Sequence, residues 1–231
     1  TPKVITEACN DQPMWTLQQV RELSSRGVPV FGGIDYGTGT GNQPSYTVLT
    51  IGFLATNGKF QVLYMRKFIG SEAELNGQPA LINALCTQAG VRWLACDWGF
   101  GADKNARLVA EMGWNRYGQD RLLLEIMYTR QALLAKWDTN AERYHVDRSK
   151  SMGMLIDHIR TEKVEFFRSE DLQPFMSDFT TIFMEYNDTT NSTKYDHDLP
   201  DDAFHSVNYA YIAMLQYNNR LVDSGLPGLP D

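Results

Sequence analysis

The sequence predicts an α/β domain built on a mixed central sheet with helices on both faces. Three observations carry that expectation. Residues 46–55 and 59–68 are β-rich runs separated by Thr56-Asn57-Gly58, and Asn-Gly between such runs signals a hairpin. Residues 91–97 are short and nearly continuous in apolar side chains, the pattern of a strand buried on both faces. From Ser71 onward, helical and strand segments alternate, an order that produces parallel pairing. The first three strands are therefore expected to be antiparallel and the later ones parallel.

The elements follow in order. Residues 1–13 read as irregular. Trp15, Leu17, Val20 and Leu23 give 14–26 an apolar helical stripe, and Gly27 stops it. Strand one covers 28–35, and a glycine-rich turn follows at 37–42. After the hairpin, 71–89 is expected to be helical, with Ser71 as N-cap and Glu74 at the capping-box position. Residues 91–97 are the fourth strand, Asp103 caps a helix running to Met112, and 121–128 is the fifth strand. Then come a helix at 149–162, an edge strand at 163–167 and a helix at 171–186. Residues 187–199 are polar and turn-rich, suited to a surface loop or a hairpin. A last helix spans 200–217, and Gly225, Pro227, Gly228 and Pro230 mark the ending as a tail.

Composition narrows the function classes. The chain has 231 residues, 43% hydrophobic and 21% charged, enough for one α/β domain with a sizeable core. No stretch is long and apolar enough to span a bilayer, and no basic segment followed by an apolar one opens the chain. The net charge of -7 argues against a domain that grips nucleic acid tightly by itself. Bound cations or a neighbouring domain would have to offset it. Cys9, Cys86 and Cys96 are scattered and form no CxxC pair, so they read as small buried hydrophobes in a reducing compartment.

Three aspartates carry the candidate chemistry. Asp35 and Asp97 each end an apolar strand, and Asp201 opens the amphipathic helix at 200–217. A carboxylate just past a buried strand is held by the sheet yet open at its edge. Three of them brought together repel unless cations lie between them. An oxygen-only donor set suits Mg²⁺ or Mn²⁺, and two such ions clamp the attacking and leaving oxygens of a phosphodiester. At about 100° per residue, Phe204, Val207, Tyr211, Met214 and Leu215 form the buried stripe of the last helix. Asp201 falls at the margin of that stripe. Asp202 falls toward solvent, as a helix-dipole charge or a group behind the ligands. His205 lies one turn on, placed to orient Asp201, to contact metal-bound water or simply to be a half-buried histidine.

The remaining candidates are weaker. Gly37 and Gly39 lack the Gly-Lys-Ser/Thr of a phosphate-binding P-loop and instead allow close approach of a substrate backbone. The run from Asp97 through Asp103 to Asn105 lacks the spacing of a calcium loop. Lys104 with Arg107, and Arg148 with Lys150, are the nearest approaches to basic patches. Lys194 is a further cation in the polar segment, where a hairpin would touch DNA.

Read together, the segments 31–37, 96–105 and 201–210 resemble the nuclease domain of tailed-phage terminase large subunits. The stretch Tyr144-His145-Val146-Asp147-Arg148 ahead of a helix, and Val164-Glu165-Phe166-Phe167 after it, look like the same family. The resemblance runs from about residue 28 to 217. It implies an RNase H-like fold and metal-dependent cleavage of concatemeric viral DNA during packaging, largely without sequence preference, in the host cytoplasm. Asp35, Asp97 and Asp201 match the family's metal-binding acids, and two Mg²⁺ or Mn²⁺ ions are expected with substrate. The family often has a second acid where this chain has His205. The implied partners are double-stranded DNA, the terminase ATPase domain, the small subunit and the portal. On this reading 1–27 is a linker segment with a short helix, 28–220 the nuclease domain and 221–231 a flexible tail.

Other readings stay open. Residues 34–40 and 97–101 also look like the phosphate loops of actin-like ATPases and sugar kinases, although 231 residues is short for that two-domain fold and Asp201 would have no role. A non-catalytic module docking to portal or DNA is a further alternative, as is a Holliday-junction resolvase or exonuclease on the same fold.

Overall fold

The computed structural model describes residues 2–37, 45–187, 192–197 and 199–221. Strands β1 (Val30–Asp35), β2 (Val48–Leu54) and β3 (Phe60–Lys67) form an antiparallel meander. On the other side of β1 the sheet continues in parallel through β4 (Trp93–Asp97), β5 (Leu122–Thr129) and β7 (Arg143–Asp147). One edge is closed by antiparallel β6 (Ala135–Asp138), the other by β8 (Val164–Glu165), in the order β6-β7-β5-β4-β1-β2-β3-β8. The expected mixed sheet, antiparallel first and then parallel, is present.

Alternation along the strands splits the core into two layers. Phe31, Trp93, Ala95, Leu122, Leu124 and Ile126 face α1 (Pro2–Glu7), α5 (Arg148–Arg160), α7 (Met176–Thr180) and α8 (Asp202–Tyr217). Val30, Ile34, Leu94, Cys96 and Leu123 face α2 (Leu17–Ser25), α3 (Gln78–Ala89) and α4 (Ala102–Met112). Helices thus cover both faces.

The helix α8 positions the site. Every residue from Asp202 to Gln216 is buried, so the single apolar stripe expected of it is wrong. Small residues let it lie directly on the sheet: Ala203, Ser206, Ala210 and Ala213 are fully buried. At Gly33 of β1 an added Cβ would stand 2.0 Å from the Ser206 carbonyl oxygen and 2.3 Å from the Ala210 nitrogen. Backbone touches backbone there. At its far end, Tyr217 meets Phe31 and Trp93 edge-on, with ring centroids 5.4 and 5.1 Å apart.

Several boundaries differ from expectation for identifiable reasons. The helix expected from Ser71 starts only at Gln78, with Pro79 in its first turn, and Gly70–Ala73 is a separate 3-10 turn. The capping box lies instead at Thr16 and Gln19, ahead of α2. Gly101, not Asp103, caps α4, and Asp103 sits in the first turn. Residues 171–186 are not one helix. Pro174 falls in a 3-10 turn after α6 (Ser169–Leu172), α7 ends at Thr180, and the chain then enters β9 (Ile182–Asn187). β9 pairs antiparallel with β10 (Ser192–His197), so the polar segment holds a hairpin. Residues 1–13 are not irregular throughout, since α1 buries Ile5 against the domain, whereas α2 is the helix expected over 14–26 and buries Leu17 and Val20. Leu221, assigned to the tail, is buried in the core.

Candidate metal centre

Asp35 and Asp97 are the last residues of neighbouring parallel strands. Ile34 pairs with Cys96, so the two aspartates occupy the next step of the same register. Adjacent strands are about 4.8 Å apart. Phe31 and Gly33 on β1, and Trp93 and Ala95 on β4, all face α8, and alternation by two turns Asp35 and Asp97 to that same side. Asp201 immediately precedes α8, which crosses this end of the sheet.

The carboxylates feel one another. Burial raises Asp35 well above the ordinary carboxylate value, Asp202, Asp97 and Asp201 raise it further, and Arg148 opposes them. Burial also raises Asp97, against backbone N–H donors from Gly99 and Phe100 and the nearby His205. The Phe100 N–H donates to Asp97 Oδ2 at 2.9 Å. The Asn105 side chain braces the same turn, donating to the Asp97 carbonyl at 2.9 Å and accepting from the Tyr36 hydroxyl at 3.0 Å.

Asp201 is balanced differently. Burial opposes its charge, yet His205, His197 and Arg148 outweigh burial and hold it below the ordinary value. Its Oδ2 lies 2.9 Å from His205 Nε2, 3.5 Å from Arg148 Nη2 and 3.8 Å from His197 Nε2. That oxygen is buried, and His205 Nε2 is the nearest of the three. Asp201 also leaves its own helix uncapped. The cap comes from Asp178 of α7, which accepts from the Ala203 N–H at 3.0 Å with one oxygen and pairs with Lys67 Nζ at 3.1 Å with the other.

Asp202 does not face solvent as the helical wheel suggested. It is buried and accepts from the Ser45 hydroxyl at 2.6 Å and the Tyr46 N–H at 2.7 Å. The wheel failed because α8 is enclosed on every side. Asp202 therefore ties the chain after β1 to the helix, and its charge acts on Asp35 more strongly than that of Asp97 or Asp201. His205 is likewise buried rather than half-exposed.

The other candidates separate. Arg148 sits beside Asp201. Lys104 Nζ donates to the Phe100 carbonyl at 3.2 Å and lies 4.7 Å from the centre of the Tyr36 ring, next to Asp97. Burial lowers its pKa against the pull of Asp97 and Asp103. Lys150 Nζ instead donates to the carbonyls of Gln131 and Ala132, bracing a loop. Gly37 is buried, and a Cβ there would stand 2.4 Å from the backbone of Ser45 and Tyr46, so close chain packing demands the glycine. Gly39 lies outside the described residues, and for Lys194 only its backbone place in β10 is described.

The donor set fits a hard divalent cation: carboxylate oxygens from two strand ends and a helix start, and a buried Asp35 burdened by three like charges. As placed, however, no group of three or more histidines, cysteines, aspartates and glutamates among the described residues is arranged to hold an ion. Sequence reasoning missed His197, Tyr128, Asn208 and Asp178. Tyr128 was findable, since alternation from Leu122 through Ile126 puts it on the α8 face.

No family model and no curated protein matches the chain. Solved structures do. The HK97 bacteriophage large terminase matches with a TM-score of 0.56 and 12% identity, over 91% of this chain and 42% of that one. The chain thus spans less than half the length of that terminase. The large terminase nuclease domain of bacteriophage SPP1, solved with bound Mn, matches with a TM-score of 0.53 and 10% identity, over 90% of this chain and 97% of that one. The large terminase nuclease domain of Thermus phage P74-26 matches at 0.50 and 14%, over 80% of each. The architecture described above is therefore the RNase H-like fold of the large-terminase nuclease domains.

Proposed function

We propose that this chain is a metal-dependent endonuclease that cuts concatemeric double-stranded viral DNA during genome packaging, largely without sequence preference. The observation that carries the reading is the register of Asp35 beside Asp97 on adjacent parallel strands, facing the uncapped Asp201 at the start of α8. Asp35, Asp97 and Asp201 would hold Mg²⁺ or Mn²⁺. Such ions supply an activated water and stabilise the departing 3′-oxygen.

The chain's own residues prepare the site. The strand ends fix the backbones of Asp35 and Asp97 side by side. The Phe100 N–H keeps one oxygen of Asp97 turned inward. Arg148 offsets part of the negative charge and, with Lys104 on the other side, offers a cation to a phosphate. Lys194 and Gly39 are further proposed contacts to DNA. Residues 28–220 are the proposed nuclease domain, with 1–27 packed on it as a link to a motor domain and the C-terminal residues as a tail. The ATPase domain, the small terminase subunit and the portal would then be its partners, in the host cytoplasm. No helix among the described residues is long and apolar enough to cross a membrane.

One observation favours a non-catalytic docking module instead: as placed, the acidic groups do not converge on a ready ion site. Digestion of a circular plasmid with Mn²⁺, Mg²⁺ or EDTA decides. Nicking and linearisation with Mn²⁺, lost with EDTA and in Asp97→Ala, support the nuclease. Metal binding without cleavage supports the docking module.

A further inference from the structure

A chain of polar groups leads away from Asp201 through His205, Tyr128, Asn208 and Ser151. The Ser151 hydroxyl donates to the Arg148 carbonyl at 3.0 Å, so its proton is committed. The Asn208 atom facing Ser151 at 3.2 Å must therefore carry hydrogen, which fixes the amide with Nδ2 toward Ser151. The same Nδ2 lies 2.9 Å from the Tyr128 hydroxyl and donates to it. Tyr128 then has its own proton to give; of its two remaining neighbours, His205 Nδ1 at 3.0 Å and the Tyr209 hydroxyl, the imidazole nitrogen is the stronger acceptor. Burial pushes the Tyr128 phenol well up, so the hydroxyl keeps that proton. His205 Nδ1 is the acceptor. The ring proton is left for Nε2, which stands 2.9 Å from Asp201 Oδ2. Two bare lone pairs at that distance would repel, so the proton is needed there. Arg148 Nη2, 3.5 Å from Nε2, faces another donor and serves Asp201 rather than His205.

We propose that Tyr128 and Asn208 lock His205 as the neutral Nε2–H tautomer, making it a positioning residue that holds Asp201 Oδ2 and not a metal ligand. Metal-bound carboxylates and histidines are commonly oriented by such partners, and losing one costs about 10- to 100-fold in metal affinity. The locked proton occupies the nitrogen that faces the site, so Nε2 has no lone pair to offer a cation. Asp201 Oδ1 would then be the oxygen available to an ion. The metal-orienting part of this inference rests on the proposed nuclease centre, whereas the tautomer does not.

The test is a long-range ¹H–¹⁵N correlation spectrum of the ¹⁵N-histidine-labelled chain in EDTA at neutral pH, with His205 assigned from the spectrum of His205→Gln. The wild type is expected to give the Nε2–H pattern and Asp201→Ala to keep it, because Tyr128 still donates to Nδ1, whereas the double variant Asp201→Ala/Tyr128→Phe gives a mixture of tautomers. An Nδ1–H or doubly protonated His205 in the wild type overturns the proposal, as does a mixture already present in Asp201→Ala. Mn²⁺ titration of Tyr128→Phe is expected to show at least about tenfold weaker binding, and wild-type affinity there overturns the positioning role. Failure of the wild type to cut DNA with the Nε2–H pattern intact would sink the nuclease reading alone.

Discussion

Gly33→Ala tests how α8 is seated. The new Cβ would stand 2.0 Å from the Ser206 carbonyl oxygen and 2.3 Å from the Ala210 nitrogen, where ordinary contact begins near 3.4 Å. Both obstacles are backbone, so no rotamer change relieves them. The helix or the strand must move by on the order of 1 Å, and the cost belongs at or above the upper end of the roughly 1–3 kcal/mol range for overpacking. Gly32→Ala is the internal control. Its Cβ points to the other layer and meets Leu94 Cδ1 at 2.8 Å and Val91 Cγ1 at 3.2 Å, both side-chain ends that can rotate. It should cost under about 1.5 kcal/mol. Urea unfolding with unchanged m-values reads the difference. Because Asp201 begins this helix, Gly33→Ala should also lower Mn²⁺-dependent nicking by about 100-fold, the penalty of a 1 Å misplacement at a reacting centre. A Gly33→Ala protein as stable and active as Gly32→Ala would refute the backbone-on-backbone seating.

Other outcomes follow from the same geometry. Mn²⁺ at a hundred times its Kd should stabilise the fold by about 2.7 kcal/mol and, at roughly 2–4 °C per kcal/mol, raise Tm by about 5–10 °C; an equal rise in Asp35→Asn would remove Asp35 from the ligand set. The raised pKa of Asp35 means the folded protein holds its proton longer than the unfolded chain. Its contribution to metal-free stability is therefore present below the ordinary carboxylate value and is lost as pH rises through the raised folded value. Asp35→Asn should abolish that loss and be the more stable protein at neutral pH in EDTA, and pH-dependent urea midpoints that match the wild type would contradict it. Asp178→Ala removes the donor-facing cap of α8 and strands Lys67, which should cost about 3 kcal/mol in urea unfolding, with Asp178→Asn markedly milder because an oxygen still faces the Ala203 N–H.

Much of the sheet was legible because its signals are local. Asn57-Gly58 marked the β2–β3 hairpin, and the apolar run ending at Asp97 marked a central strand. The places of Asp35, Asp97 and Asp201 at element ends were legible as well. What escaped depends on distant parts of the chain. The helical wheel assumes one solvated face, and α8 has none, so Asp202 was turned outward on paper. Asp178 caps α8 from another helix 25 residues upstream, an arrangement with no local signature. The β6–β7 hairpin was missed because its strands are only four and five residues long and carry several charges. The segment after Pro174 mixes helical and β-branched residues, and pairing with β10 decides it for strand.

The loan of a cap from Asp178 separates upkeep from chemistry. Position 201 can change identity while the helix behind it keeps its first turn intact. Asp201→Asn, which keeps an oxygen near Arg148 and His205, should consequently leave the first turn of α8 in place, so that a lost Mn²⁺ response there reports on the proposed centre and not on an unwound helix.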